Sequence, residues 1–295
     1  MATLRDIRRR IVAVRNTSQI TSAMRMVAAA KLRKAQNAII AARPYASKIA
    51  EILQNLALAE RYSFVHPFFE QRPDVRSILF IVIASDRGLC GAFNANVLKA
   101  AQYYIERKFP EEFPKANVHV IAVGKRAVQH FQRRTHSLLL ALPDVFGRLE
   151  FSTVLQIAHH VGEGFISGQY DRVFLLYNEF RSILRQEVRR RQILPIEPSV
   201  SEHHRDAGDY IYEPSRAEIL EALLPRYLNV QIWSALLESH AAEHAARMVA
   251  MDNATTNARD LISSLQLEYN KARQAAITKE MLEIVGGAEA LRSSA

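Results

Sequence analysis

The chain has 295 residues, enough to bury a full core in one large domain or in two. Its 49% hydrophobic content is ordinary, but ten glycines and ten prolines are few for the length, the balance of a chain dominated by uninterrupted helix. A formal charge of +9 admits nucleic acid, anionic lipid or an acidic protein surface as partner, while the single Cys90 excludes an internal disulfide and any multi-cysteine zinc module and fits a reducing compartment.

Near the start, Leu4, Ile7, Ile11, Val14, Ser18, Thr21, Arg25, Ala28, Leu32, Ala35, Ile39, Ala42, Ala46, Ile49, Leu53 and Leu56 follow alternating steps of three and four. That is the period of a coiled-coil seam. The first 34 residues are also Arg-rich and nearly free of acids, as a mitochondrial transit peptide would be. A cleaved leader has no reason to keep register with mature sequence, and this seam runs from Leu4 past residue 40, so the start reads as native structure. Pro44 should kink the helix locally.

The period then changes. Val75 to Ser85 is an apolar run rich in Ile and Val, bounded by Pro73 and Gly88, and reads as a buried strand. Its Ile78 to Ala84 core falls well short of the roughly 20 residues that span a bilayer. The turn from Ser85 to Asn94 leads into a helix, Asn94 to Phe109, where a doubly wound sheet would hold a phosphate or dinucleotide. Its glycines are spaced G-x-x-G, with neither G-x-G-x-x-G nor a Walker lysine, which favours a tight turn over a nucleotide site. Cys90 in this turn has no evident His partner and reads as a small packing residue. Strand Val118 to Gly124, helix Lys125 to Phe131, strand Ser137 to Leu142, helix Phe151 to Ser167 and strand Arg172 to Phe180 follow. Such alternation gives a mostly parallel sheet covered on both faces. Ile183 to Ile193 adds an antiparallel edge strand, and Glu197 to Asp209 reads as a flexible loop.

From Pro214, with Ser215 as N-cap, the chain re-enters helix, with a local kink expected at Pro225. Tyr227, Val230, Ser234, Leu237, Ala241, His244, Met248, Met251, Thr255, Ala258, Ile262, Leu265, Tyr269, Ala272 and Ala276 repeat the seam rhythm. The fold class is therefore α/β: a long antiparallel coiled coil of N- and C-terminal helices with an inserted Rossmann-like lobe. The expected divisions are a first rod at 1–58, a lobe at 74–196, a linker and foot at 197–213 and a second rod at 214–290. At 1.5 Å per residue the second rod would be roughly 100 Å long, and the small seam residues Ser18, Thr21, Ala28, Ala35, Ala42 and Ala46 of the first bury little each, so an enclosing sleeve is expected.

Two candidate chemistries are weighed against a purely structural reading of the rods. His240-Ala241-Ala242-Glu243-His244 fits H-x-x-E-H, with histidines at i and i+4 able to bind zinc and Glu243 able to serve as base. Against it, the motif falls where a smooth coil is expected, and no third ligand is apparent. Basic runs at Arg8 to Arg10, Lys31 to Lys34 and Arg189 to Arg191 leave a nucleic-acid scaffold open, though no aromatics interleave with them. The paired histidines His159-His160 and His203-His204 point different ways and make poor metal sites.

Several segments together resemble the gamma subunit of F-type ATP synthases: Asn16 to Leu32, Ser85 to Asn94, Tyr210 to Pro214, Ala245 to Thr255, and Ile277 to Ala290. The resemblance covers essentially the whole chain. It implies a non-catalytic rotor, the central stalk, present once per complex and needing no cofactor or metal. The coil would stand inside the alternating alpha and beta hexamer, with the lobe on the membrane c-ring and in contact with the epsilon subunit. By resemblance, Arg273 and Gln274 form a catch against an acidic beta loop, and Thr278, Glu280 and Glu283 are sensitive polar positions near the top of the shaft. Met24 and Arg25 match the spot where the first rod faces the beta lever, with Arg25 nominally on the seam. Tyr210, Tyr212 and Glu213 correspond to the foot that meets the c-ring. The cysteine pair of chloroplast members has no counterpart, so a thiol switch of that type is not expected. The early seam favours a bacterial member on the cytoplasmic side of the plasma membrane.

Overall fold

A computed structural model of the chain describes residues 3–59, 66–134, 137–197 and 212–293. It divides into two compact units, one made of Met1–Val27 and Met248–Ala295, the other of Ala28–Arg247. Two helices contribute to both: α1 (Leu4–Ala59) and the 78-residue α6 (Arg216–Ser293). Pro44 and Pro225 lie inside these helices, which continue through them.

The first unit is an antiparallel coil. A capping box starts α1: the Asp6 amide donates to the Thr3 hydroxyl at 3.3 Å, and the Asp6 carboxylate accepts from the Thr3 amide and hydroxyl. Ile7, Thr21, Met251, Thr255, Ala258 and Leu265 are buried, while Leu4, Ile11, Val14, Ser18, Ile262, Tyr269 and Ala272 are half-buried. The three-four spacing of small and branched residues thus forms the seam it predicts. Register is set by the Thr21 and Thr255 hydroxyls, 2.8 Å apart. Counting seventeen residues back from Thr21 reaches Leu4, and seventeen forward from Thr255 reaches Ala272. Helix α6 therefore outruns its partner. From Ile277 to Ala288 every side chain is exposed.

The second unit is built on a sheet of five strands: β1 (Ser77–Ile83), β2 (Asn117–Val123), β3 (Ser137–Leu142), β4 (Arg172–Phe180) and β5 (Gln186–Leu194). Their order is β3-β2-β1-β4-β5, parallel except for β5, which is antiparallel to β4. Alternation along β1 divides the core. Leu79, Ile81 and Ile83 face α5 (Phe151–Ile166), the end of α1 at Leu53 and Leu56, and α6 at Leu220, Leu224 and Leu228. Ile78, Phe80 and Val82 face α2 (Phe93–Tyr103), α3 (Phe109–Glu112) and α4 (Lys125–Phe131). Each such side chain, fully withdrawn from water, contributes about 1.5–3 kcal/mol.

Three local expectations are corrected. The helix expected from Asn94 to Phe109 widens into a π-helical turn over Tyr104–Lys108, where the Phe109 amide bonds the Tyr104 carbonyl. Pro110 next in line has no amide hydrogen and its ring crowds the preceding turn, which explains the widening. The edge strand begins at Gln186 rather than Ile183, because the Arg181 and Ser182 amides both bond the Arg185 carbonyl and close a hairpin turn. Finally, α6 around His240 is not a smooth coil. Leu236, Leu237, Ser239, Ala241, Ala242, Glu243, His244 and Ala245 are all buried, since α6 packs there against the lobe as well as carrying the seam. Of the loop expected at 197–209, all but Glu197 lies outside the described residues.

Candidate functional site

Strand order reverses between β1 and β4, the place where doubly wound sheets hold ligands. Here the turn after β1 is tied down from within. The Ser85 amide donates to Asn94 Oδ1 at 3.0 Å, and the Ser85 hydroxyl lies 2.7 Å from the Arg87 carbonyl. The Asp86 carboxylate accepts the amides of Lys125 at 2.9 Å and Phe146 at 2.7 Å, fastening the turn to α4 and to the segment before α5. Leu89 and Gly91 adopt left-handed φ of 60° and 58°. Across this turn lies α6, with Ala242 and Ala246 against Cys90, Phe93 and Phe180. Arg247 Nη2 donates to the Gly88 carbonyl at 3.2 Å and the Arg87 carbonyl at 3.5 Å. The crevice that could have taken a nucleotide is filled by the protein's own helix. Cys90 is buried, and burial pushes its thiol pKa up, as befits a packing residue.

The H-x-x-E-H histidines do meet, with Nε2 atoms 3.1 Å apart. Burial pushes the pKa of His240 down to about 4, helped by the charges of Lys31 and Arg247, and that of His244 to about 3, helped by His240 and then by Arg247 and Lys31. Glu243 accepts from Arg247 Nη1 through Oε1 at 2.5 Å, so its carboxylate is tied into an ion pair. Among the described residues no third His, Cys, Asp or Glu completes a ligand set. The zinc-hydrolase alternative is therefore not supported. The basic edge does not favour nucleic acid either. Arg189 is spent on Glu179 at 2.6 Å, the Arg190 guanidinium lies over the rings of Tyr104, Phe109 and Phe174 at 5.0–5.4 Å, and Arg191 donates to Gln231 at 2.9 Å.

The positions implied by resemblance fall in both units. Met24 is half-buried on α1, and Arg25 lies on the flank of the seam, bonding Asp252 at 2.9 Å. Arg273, Gln274, Thr278, Glu280 and Glu283 are exposed on α6, with Lys279 and Glu283 paired at 3.6 Å. Tyr212 is half-buried against the lobe core beneath the Arg216 guanidinium at 5.4 Å, and Glu213 is exposed. Tyr210 lies outside the described residues. Sequence reasoning placed Thr255 on the seam but did not single out Arg247 or Asp252 as interacting residues. The i,i+4 spacing of Glu243 and Arg247 was the only available local signal.

The family model described as ATP synthase matches residues 3–291. The ATP synthase gamma chain of Chlorobaculum tepidum is 48% identical over 292 residues, covering 99% of this chain and 100% of the relative. That of Chloroherpeton thalassium is 45% identical over 308 residues, with both chains covered in full. Among solved structures, a chain from the central stalk and c-ring of the Tetrahymena thermophila mitochondrial ATP synthase superposes with a TM-score of 0.60 at 25% identity, covering 80% of this chain and 99% of that one. With likeness running through coil and lobe alike, the chain belongs to the ATP synthase gamma family.

Proposed function

We propose that this chain is the central-stalk rotor of an F-type ATP synthase, a shaft that exchanges the states of catalytic sites carried by other subunits. The observation that carries this reading is the end of α6 beyond its partner. Ile277, Met281, Leu282, Ile284 and Val285 are 50–72% exposed there on a helix with nothing beside it among the described residues. Five large apolar side chains left in water on one short stretch call for a surrounding surface. The hexamer of alpha and beta subunits supplies one. An asymmetric rod in a pseudo-threefold sleeve meets each beta subunit with a different face and favours a different conformer in each. Rotation then exchanges the three.

In this arrangement Arg273 and Gln274 catch an acidic loop of beta, Arg through paired donors that suit a carboxylate. Thr278, Glu280 and Glu283 contact the sleeve nearer its top, and Met24 and Arg25 face the beta lever. Tyr210, Tyr212 and Glu213 form the foot on the c-ring, and epsilon binds beside the lobe. The subunit is single-copy and non-catalytic, peripheral on the cytoplasmic side of a bacterial plasma membrane. No described helix is long and apolar enough to cross a bilayer. In this reading attachment runs through the c-ring.

Purification of a tagged chain from native membranes, with mass spectrometry of its stoichiometric companions and a metal assay, tests the reading. Alpha and beta in threefold excess together with epsilon are expected. A solitary chain, or one carrying nucleic acid or zinc, would overturn it.

A further inference from the structure

Where α6 crosses the C-terminal edge of the sheet, its surface is largely alanine. Ala241, Ala242 and Ala245 are fully buried, and Ala242 and Ala246 meet Cys90 and Phe93. Methyl groups allow close approach but raise no ridges, so beyond the stretch that Leu220, Leu224 and Leu228 anchor in the core, the alanines themselves resist rolling of the helix only weakly. Arg247 is different in kind. Its side chain is 11% exposed, its Nη1 is held by the 5%-exposed Glu243, and its Nη2 reaches the carbonyls of Gly88 and Arg87. Those carbonyls belong to the turn that Ser85, Asp86 and Asn94 fasten to β1, α2, α4 and the segment before α5.

The planar guanidinium is held at both arms, Nη1 by the Glu243 carboxylate and Nη2 by the Gly88 carbonyl at 3.2 Å with the Arg87 carbonyl at 3.5 Å, and a buried charge that loses its partners is costly. Rolling α6 in either direction would withdraw Nη2 from the turn. We infer that Arg247, oriented by Glu243, is a rotational key that locks α6 to the sheet, so that turning force on the lobe enters α6 without slip. Arg247 acts here as a positioning residue, outside any catalytic site. The inference rests on the rotor reading above for its purpose, but not for its geometry.

Three substitutions test it in the assembled complex. Arg247→Met keeps the stem and removes the fork, Arg247→Lys keeps a charge with a single donor centre, and Glu243→Gln removes the orienting charge. Arg247→Met should assemble with normal subunit composition and hydrolyse ATP, while protons pumped per ATP fall at least threefold, with Arg247→Lys intermediate. A wild-type pumping ratio in Arg247→Met would overturn the key. So would losses of assembly and pumping that run in parallel across all three, which is the behaviour of a merely structural pair. The geometry has a separate readout on the isolated full-length chain, because α6 covers the Cys90 thiol. Arg247→Met should speed labelling of Cys90 by a small thiol reagent at least tenfold at equal thermal stability. Unchanged labelling sinks the key whatever the complex does, whereas failure of the wild-type chain to bring down alpha and beta sinks only the rotor reading.

Discussion

Burial turns His240 and His244 into a neutral pair, and that has a definite pH consequence. Both folded pKa values lie below the ordinary 6.5, at about 4 and about 3, because burial and the neighbouring Lys31 and Arg247 oppose protonation. As pH falls below 6.5 the unfolded chain takes up protons that the folded chain refuses, so stability declines from there down to the folded values. For His240 the loss is on the order of 3 kcal/mol. Glu238 and Glu243, whose pKa values burial raises, act with the opposite sign, returning stability as acid neutralises them. Urea midpoints of the isolated chain are therefore expected to drop between pH 6.5 and 4, and the drop should shrink in His240→Gln. A slope unchanged by that substitution would place the titration elsewhere. The Thr21–Thr255 pair gives a second expectation at this scale. Each hydroxyl also lies within bonding distance of its own helix, at Ser18 and Met251. Each single change to Val should thus cost about 1 kcal/mol, with the double change costing less than the sum of the two. Strict additivity in that cycle would show that the hydroxyls do not interact.

Elements differ in how far they can be read from sequence alone. Seam positions in α1 and α6 were legible because they depend on one local rule, a step of three or four, and every named seam residue is buried or half-buried. The α/β alternation was legible for the same reason, but the strand order was not, since it depends on crossovers between distant segments. Neither the π turn nor the start of β5 was anticipated. A missing amide at Pro110 and a closed turn at Arg185 override the local periodicity in both places. Arg247 was hidden because its carbonyl partner lies 159 residues away. Close approaches between elements give a sharp prediction. A Cβ on Gly164 of α5 would stand 2.2 Å from the Tyr170 ring, and one on Gly124 would stand 2.0 Å from the Ala84 carbonyl oxygen at φ +88°. Gly164→Ala should cost about 1–3 kcal/mol. Gly124→Ala should cost more, since backbone cannot move aside as a ring can. Equal thermal midpoints for the two would contradict that ranking.

At the scale of the molecule, stability and assembly should separate. Residues 277–288 are all exposed, so Leu282→Ser with Ile284→Ser should leave the denaturation midpoint of the isolated chain nearly unchanged. The same pair should lower recovery of alpha and beta with the tagged chain severalfold, and full recovery would mean that the exposed end is not gripped. The fold also sets an order of events during synthesis. Thr21 must wait for Thr255, 234 residues later, before the coil can close. At 5–20 residues per second that is roughly 12–50 s on the ribosome. Throughout that interval the nascent α1 carries its apolar stripe without the partner that will cover it, so this subunit should be a prominent client of ribosome-associated chaperones.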